Sequence, residues 1–379
     1  MAPPASQTRA SSSSARRGLA RLLSDDELDE FFRVNAELRT YDFGISDAQQ
    51  LVPMLTPIYS LHRGERKAEG AGGFIDVGAN IGKVSAAVIN AWTRHDERFY
   101  HHALGDIDIG GKLVDAEHPI DHHDELAFTW LLEASPLTRM LLQRHFDAAH
   151  WVNSHVVIKP IAAGNTTGTH RFCFYAAGSG NSGLAQTAKV GESGGRGDGG
   201  DGVRNCTDVP VTRLTDLVNR DAGSAARVFF LKIDVEGAEA LVLAGARELF
   251  VDARVAFVLF ENHNKWAHAQ EDLLGVSEFI SVGRVVRDFR DMGYRCFYTH
   301  SRGLIPFLSE GTADGDRARP KSICHEGLPF CARHRIYNRQ FWSNVFCAAP
   351  TEVDSLDWLL DAYVPPGTTR ESLLATFTK

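Results

Sequence analysis

Two glycines four residues apart follow a short apolar run and mark a turn that can hold a polar ligand. Residues 74–77 are apolar apart from Asp76, and the turn then runs from Gly78 through Asn80 to Gly82. Glycine permits a sharp turn and lets a ligand approach the backbone, while the first N–H groups of the following helix remain free to donate. The pattern predicts a cofactor cradle between a strand and a helix.

Two carboxylates narrow the class of ligand expected at this turn. A dinucleotide-binding fingerprint has a third glycine, which is missing here. Asp76, near the strand end, is suited to meet the ammonium of an amino-acid-like ligand directly or through water, and S-adenosylmethionine carries such a group. Glu133 follows the next apolar run, where an acid can accept hydrogen bonds from ribose hydroxyls. Alternatively, Glu133 has only a structural role, because an acid is stabilised near a helix N-terminus. NAD is the alternative ligand, since it also contains ribose.

A second acidic segment ends another apolar run. Residues 231–239 carry Asp234 and Glu236 before a glycine and a predicted helix, and the next strand ends at Glu261 and His263. In an open α/β sheet, ligands bind outside the carboxyl ends of the strands, so these side chains are expected at the ligand-binding edge. For Glu239, capping of the helix is the favoured interpretation.

The two segments together resemble the FkbM family of S-adenosylmethionine-dependent methyltransferases. The resemblance rests on residues 74–82 and 231–239, the latter being the more specific, and covers roughly residues 72–350. Further matching stretches are residues 211–217, 244–246 and 342–346. The resemblance implies a class I methyltransferase fold, a Rossmann-like doubly wound α/β sheet with strand order 3-2-1-4-5-7-6. It also implies O-methylation of a hydroxyl on a sugar, glycolipid or secondary metabolite.

The resemblance also implies roles for individual residues. Glu133 would hold the ribose, the segment around Ala162 the adenine, and Asp234 would face the reaction centre. The methionine part of the cofactor would be held by Asp76, Gly78, Asn80 and Gly82.

A hydroxyl acceptor benefits from a base close to the reaction centre. Asp234 is favoured for this role by position and His263 by its pKa near neutrality, while Glu261 could accept the proton or orient the hydroxyl. No metal is expected, although a divalent ion held by Asp234, Glu236 and Glu261 is a less favoured alternative. Two rival functions are a NAD-dependent oxidoreductase and a non-catalytic protein that retains the fold.

The elements that must position these residues alternate between short apolar runs and amphipathic segments, which predicts parallel βαβ units. The last two strands are predicted to be neighbours. Predicted strands cover residues 74–77, 129–132, 156–161, 228–235, 255–260, 294–298 and 344–348, and predicted helices cover residues 83–92, 137–146, 238–250 and 276–292.

The methyltransferase-like region, residues 72–350, is predicted to lie between segments of other character. Residues 1–24 are rich in Arg, Ser and Ala and are expected to be a disordered tail or an organelle transit peptide. Residues 25–71 are expected to form a helical cap, and residues 351–379 a helical tail. Within the central region, residues 94–125 are interpreted as an insertion and residues 178–202 as a mobile loop.

Composition excludes several classes of protein. A net charge of −8 argues against a nucleic-acid partner, and no apolar run approaches the ~18–20 residues that span a bilayer. The expected partner is a small-molecule or glycan acceptor, and no pattern favours a particular oligomeric state. The six cysteines form no Cys-x-x-Cys pair, so reduced thiols and a cytoplasmic location are expected, with plastid or mitochondrion as the alternative.

Overall fold

The computed structural model describes the parts of the chain that form the main sheet and its covering helices. These are residues 55, 58, 59, 72–94, 126–148, 156–174, 183–184, 205–262, 282–300, 303–306, 343–352 and 354–356. The remaining residues include His263, most of the predicted N-terminal cap and almost all of the two segments 94–125 and 178–202. Those predictions therefore lie outside the described residues.

The core of the fold is an eight-stranded sheet. Its strands are β1 (Gly73–Val77), β2 (Thr129–Leu132), β3 (Val156–Lys159), β8 (Val228–Ile233), β9 (Val255–Asn262), β10 (Arg295–His300), β11 (Gly303–Pro306) and β12 (Ser343–Ala348). They lie in the order β11-β10-β12-β9-β8-β1-β2-β3. The five adjacent strands from β3 to β9 are parallel to one another, while β12, β10 and β11 pair antiparallel.

The helices cover both faces of this sheet, as a doubly wound fold requires. They are α1 (Lys83–Arg94), α2 (Pro136–Ala148), α3 (Leu214–Asp221), α4 (Glu239–Gly245), α5 (Arg247–Val251) and α6 (Val282–Asp291). Successive strand residues face opposite sides of a sheet, so β8 can supply Leu231 to one apolar cluster and Phe229 to another. The first cluster includes residues of α3 to α6, and the second includes Trp92 of α1.

The predicted fold class is confirmed, with one difference in the strand order. The prediction has seven strands, whereas the sheet has eight because Gly303–Pro306 pairs antiparallel with β10 as an additional edge strand. The predicted neighbours near residues 294–298 and 344–348 do pair, as β10 and β12. The strand expected over residues 156–161 ends earlier, at Lys159.

A second, four-stranded sheet follows β3 and was not predicted. Its strands are β4 (Ala162–Ala163), β5 (Gly168–Phe174), β6 (Gly183–Leu184) and β7 (Asn205–Thr212), in the order β4-β7-β5-β6. Its apolar side packs against Ala134, the residue after Glu133. The second sheet therefore joins the main sheet close to the expected ribose site.

Two disulfides cross-link antiparallel strand pairs, so the reduced state expected for these cysteines is wrong. Cys173 faces Cys206 between β5 and β7, and Cys296 faces Cys347 between β10 and β12. In each pair the Cα atoms are 4.1 Å apart, somewhat closer than the ~4.5 Å of directly opposed, non-hydrogen-bonded residues in antiparallel strands. Sequence spacing does not reveal such pairs, since the partners are far apart along the chain.

The N-terminal segment contributes three described residues to the core. Leu55, Ile58 and Tyr59 are fully buried, and the ring of Tyr59 stacks on Trp92 with centroids 4.9 Å apart. Among the residues that the structure describes, none of the helices has the length and apolar character needed to cross a bilayer.

Candidate active site

The glycine turn after β1 adopts a backbone that only a few residue types tolerate. Gly78, Asn80 and Gly82 all have positive φ, at 81°, 51° and 89°. Glycine takes this conformation without strain, and asparagine is the side chain that adopts it most readily. The amides of Gly78 and Ala79 both donate to the carbonyl of Leu132, at 3.0 and 3.1 Å, so the turn is anchored to the end of β2.

Steric contacts on two sides explain why glycine is needed at the ends of the turn. A β-carbon at position 78 would overlap the carbonyl oxygen of Asp234. A β-carbon at position 82 would lie 2.5 Å from the ring of Phe146 and 2.6 Å from Leu142. The turn is therefore wedged between the end of β8 and helix α2.

Asp76 lies beneath the turn rather than on its surface. Its side chain is fully buried, the hydroxyl of Ser85 donates to Oδ2, and the ammonium of Lys232 is 3.2 Å from Oδ1. Both carboxylate oxygens are thus engaged within the protein. This arrangement makes Asp76 an anchor of the turn, and the contact with a ligand's ammonium that the sequence suggests stays a prediction.

Glu133 links β2 to the turn through backbone hydrogen bonds. Its Oε2 accepts from the amide of Asn80 at 2.9 Å, and its Oε1 accepts from the amide of Ser135 at 2.7 Å. Burial raises the pKa of Glu133 to about 7, with a smaller contribution from the charge of Asp76, and the two hydrogen bonds oppose this rise. Each carboxylate oxygen has a second lone pair, so both can still accept a ligand hydroxyl.

Asn80 provides the feature of the turn that most directly indicates a ligand. Its side-chain Oδ1 is buried and has no hydrogen-bond partner among the described residues. A buried acceptor without a donor costs free energy, which a ligand that donates a hydrogen bond would recover. An ammonium group is such a donor, so this turn suits the methionine part of S-adenosylmethionine.

Asp234 lies at the end of β8, beside the turn. Its amide donates to the carbonyl of Val77 at 3.0 Å, and its side chain is about one-third exposed. The ammonium of Lys232 contacts Asp234 Oδ2 at 3.3 Å as well as Asp76. One buried lysine therefore connects a buried carboxylate with a carboxylate at the edge of the sheet.

Two further acids converge on Asp234, and the three together are not the set suggested by the sequence. Asp234, Glu239 and Glu261 each place a carboxylate oxygen within 4.8 Å of the others. Glu239 replaces Glu236 in the set suggested for a metal, so that alternative had the wrong residue. Glu261 is the last residue but one of β9 and pairs with Asn344 of β12.

Glu239 has a structural task, but it binds the loop that precedes α4 and does not cap the helix, whose N-cap residue Ala238 makes no side-chain capping bond. Glu239 is fully buried at the start of α4, and its carboxylate accepts from the amides of Val235 at 2.9 Å and Gly237 at 3.0 Å. The loop that it holds contains two residues with positive φ, Glu236 at 59° and Gly237 at 110°. The carboxylate thus stabilises the loop that carries the acidic segment.

Ala162 lies on the same side of the site as Glu133, the acid that is expected to bind ribose. It lies in β4, pairs with Val211 of β7, and packs against the cluster that contains Ala134. This places Ala162 near the segment that follows Glu133. His263, one of the two expected bases, falls outside the described residues.

Sequence reasoning missed three residues that hold the site together: Ser85, His145 and Lys232. His145 is buried on α2 and its Nδ1 is 3.1 Å from the carbonyl oxygen of Ile81 in the turn. Lys232 did carry a signal, because it is the one charged residue in the six of β8. His145 carried none, since its partner is distant in the sequence.

With this geometry described, comparison with known proteins identifies the family. Residues 76–296, more than half of the chain, match the model of the FkbM methyltransferase domain. The chain belongs to the FkbM methyltransferase family. The matched region contains the glycine turn, Glu133 and the acidic segment, so the whole candidate site lies within the methyltransferase domain.

Solved structures give weaker similarity. The FkbM methyltransferase from Methylobacillus flagellatus KT is 15% identical with a TM-score of 0.33, and the match covers 63% of this chain and 42% of that one. This chain thus spans less than half of that protein's length. An uncharacterised protein from Burkholderia thailandensis is 12% identical with a TM-score of 0.27, covering 82% of this chain and 83% of that one. No curated protein sequence gives a significant match.

Proposed function

We propose that this methyltransferase uses S-adenosylmethionine to methylate a hydroxyl oxygen of a small-molecule or glycan acceptor, such as a sugar, a glycolipid or a secondary metabolite. The proposal rests on two hydrogen-bond acceptors that lie together at Asn80, its own side-chain oxygen and the carboxylate of Glu133. The buried Oδ1 of Asn80 is available to a donor, and the amide of Asn80 holds the carboxylate of Glu133. S-Adenosylmethionine has a donor for each of them: its ammonium for the side-chain oxygen of Asn80, and its two ribose hydroxyls for the carboxylate of Glu133.

The charges around the turn favour this cofactor over NAD. Asp76, Glu133 and Asp234 surround the turn, and Lys232 is the cation that contacts two of them. A pyrophosphate at the turn would bring two negative charges next to these acids, whereas an ammonium would bring a positive one. A ribose acid alone does not separate the two cofactors, since both contain ribose.

In the proposed arrangement the chain holds the cofactor along the edge of the sheet. Asn80 Oδ1 accepts from the ammonium, Glu133 accepts from the ribose hydroxyls, and Ala162 borders the adenine. When bound, S-adenosylmethionine supplies an electrophilic methyl group on its sulfonium. The residues of the chain then have to align the acceptor oxygen with that methyl group, because alignment provides much of the rate enhancement.

Asp234 is the proposed proton acceptor, because it is the partly exposed carboxylate beside the turn. It would take the hydroxyl proton on the oxygen that faces the acceptor, or orient the hydroxyl for attack. The proposed supporting groups are Glu261, on the neighbouring strand β9, and His263, which follows two residues later in the sequence.

Calorimetric titration with S-adenosylmethionine, S-adenosylhomocysteine and NAD tests the proposal. We expect both sulfur nucleosides to bind and NAD to show no heat of binding. Two variants test the role of the buried Asn80 side-chain oxygen. Asn80→Gly removes this acceptor and Asn80→Asp keeps one, and both new residues tolerate the positive φ at this position. Asn80→Gly should weaken S-adenosylhomocysteine binding by about 10-fold or more, the effect of losing a hydrogen bond to a charged group, and Asn80→Asp should retain it.

The acceptor can be identified by mass spectrometry of an extract of the source organism incubated with methyl-labelled S-adenosylmethionine. We expect a labelled O-methyl product. Binding of NAD without either sulfur nucleoside would refute the proposed cofactor, and a labelled N-methyl product would refute the proposed acceptor class.

A further inference from the structure

We propose that Lys232 is a positioning residue that couples the cofactor turn to the acceptor side of the site. By bridging Asp76 and Asp234, its ammonium holds one oxygen of Asp234 so that the other is presented to the acceptor hydroxyl. This inference deepens the proposed function and rests on it.

The register of the strands brings these three residues together. Asp76 of β1 and Lys232 of β8 are paired directly in the parallel ladder, so their side chains lie on the same face. Asp234 follows two residues after Lys232, and its carboxylate is 3.3 Å from the same ammonium. The ammonium is 3.2 Å from Asp76, so it lies between the two acids.

Exposure to solvent increases from Asp76 through Lys232 to Asp234, so the three side chains link the interior of the protein to the edge of the sheet. Asp76 is fully buried, Lys232 is 3% exposed and Asp234 is 31% exposed. Removing an ammonium from water is costly unless charged partners replace the solvent. Asp76 provides the buried partner, and Asp234 provides the partner that a ligand can reach.

Stability alone is a poor explanation for a lysine in this position. The rest of β8 is apolar and buried, and an apolar residue would suit the strand equally well if Asp76 were also neutral. Buried ion pairs often add little to stability when compared with apolar residues of the same volume. The contact with Asp234, whose carboxylate faces the site, gives the lysine a task that an apolar residue could not perform.

The backbone makes a second connection between the turn and Asp234. Gly78 is in contact with the carbonyl of Asp234, and the amide of Asp234 donates to Val77. Lys232 adds the side-chain part of this link. The carboxylate of Asp234 is thereby fixed relative to the place where the cofactor is proposed to bind.

The test distinguishes an effect of Lys232 on the position of Asp234 from an effect on cofactor binding or on folding. S-Adenosylhomocysteine affinity is measured by calorimetry, and the rate of label transfer from methyl-labelled S-adenosylmethionine into a source-organism extract is measured at saturating cofactor. The variants are Lys232→Met, which keeps length and removes charge, Asp234→Asn, and the two combined.

We expect Lys232→Met to bind S-adenosylhomocysteine within about threefold of the unaltered protein and to transfer label about 100-fold more slowly, the lower end of the effect of a positioned base. Because Lys232 acts through Asp234, the combined variant should be no slower than Asp234→Asn alone. If Lys232→Met fails to fold, Lys232→Gln is measured in its place, because glutamine keeps N–H donors for Asp76. Its combination with Asp234→Asn should again be no slower than Asp234→Asn alone.

Three results would overturn the inference while leaving the proposed function intact. The first is label transfer at the normal rate by Lys232→Met, and the second is a combined variant whose loss is the product of the two single losses. The third is a parallel loss of S-adenosylhomocysteine binding and transfer in Lys232→Met, which would show a merely structural role. If the unaltered protein binds no S-adenosylhomocysteine, the proposed function itself fails.

Discussion

The carbonyl oxygen of Asp234 occupies the space that a β-carbon at position 78 would need. The two segments that carry the family resemblance, the glycine turn and the acidic segment, are therefore in backbone contact. The amide of Asp234 also donates to Val77, directly before the turn. The glycine requirement is thus partly an effect of the acidic segment and not only of the proposed cofactor.

Substitution Gly78→Ala should destabilise the protein strongly, because the new methyl group overlaps backbone and the residue must also hold positive φ. Gly223→Ala is the matched control, since Gly223 has φ 97° but a β-carbon there would meet nothing within 4 Å. We expect the control to lose about 1–2 kcal/mol from backbone strain and Gly78→Ala to lose more than about 3 kcal/mol. Urea denaturation measures both, and equal losses would refute the steric explanation.

Cofactor affinity should depend on pH through Glu133. Burial raises the pKa of its carboxyl from 4.5 to about 7. In the proposed arrangement the ribose hydroxyls donate to the ionised form, so S-adenosylhomocysteine affinity should rise by about 10-fold from pH 6 to pH 8 as the carboxyl loses its proton. Calorimetry at several pH values measures this, and Glu133→Gln should bind more weakly with no rise over that interval.

The same pKa predicts an opposite effect on the stability of the ligand-free protein. Between about pH 4.5 and pH 7 the unfolded state has released the proton of Glu133 while the folded state still binds it. The contribution of Glu133 to the free energy of unfolding therefore falls as the pH rises through this interval. A steeper loss in the Glu133→Gln variant than in the unaltered protein would contradict this assignment.

The sequence was sufficient for the parts of the fold that follow from local pattern. Apolar runs of β1, β8 and β9 and the glycine turn are visible in consecutive residues, and the rule that ligands bind at strand ends places Asp234 near the turn. The second sheet was missed because β4 and β6 contain only two residues each, and β5 contains His170 and Arg171. Such strands show no apolar alternation that could be recognised.

The sequence pattern did not show which acids form the cluster around Asp234. Side-chain alternation applies within a strand, but β8 ends at Ile233 and the following loop has positive φ at Glu236 and Gly237. Beyond that point, sequence spacing does not determine which acid faces Asp234. Glu239 joins the cluster in place of Glu236 because of this loop.

The two cross-strand disulfides should be detectable in the purified protein without reduction. Alkylation under native oxidising conditions and peptide mass mapping should leave Cys173, Cys206, Cys296 and Cys347 unmodified and recover two cross-linked peptides. Replacing Cys296 and Cys347 by Ala should lower the free energy of unfolding by about 2–4 kcal/mol in oxidising buffer. The difference should largely disappear in dithiothreitol, and full alkylation of all four thiols would refute the pairing.

Methyl transfer should not require a divalent metal. Two members of the acidic cluster already have partners, since Lys232 contacts Asp234 and backbone amides donate to Glu239. Their negative charge is thus offset by donors of the protein. Label transfer should be unchanged after dialysis against EDTA and should not increase when Mg²⁺ or Mn²⁺ is added. A loss that either metal restores would favour the metal-assisted mechanism.

Glu239 should matter more for stability than Glu236, although both are acids in the same short segment. The buried Glu239 carboxylate accepts from the amides of Val235 and Gly237, and Glu239→Gln leaves one oxygen and places an NH2 donor among N–H donors. We expect it to lower the free energy of unfolding by about 1–3 kcal/mol, whereas the matched control Glu236→Gln, at a half-buried position, should lower it by less. Chemical denaturation compares the two variants, and a larger loss for Glu236→Gln would show that the loop is held by Glu236 instead.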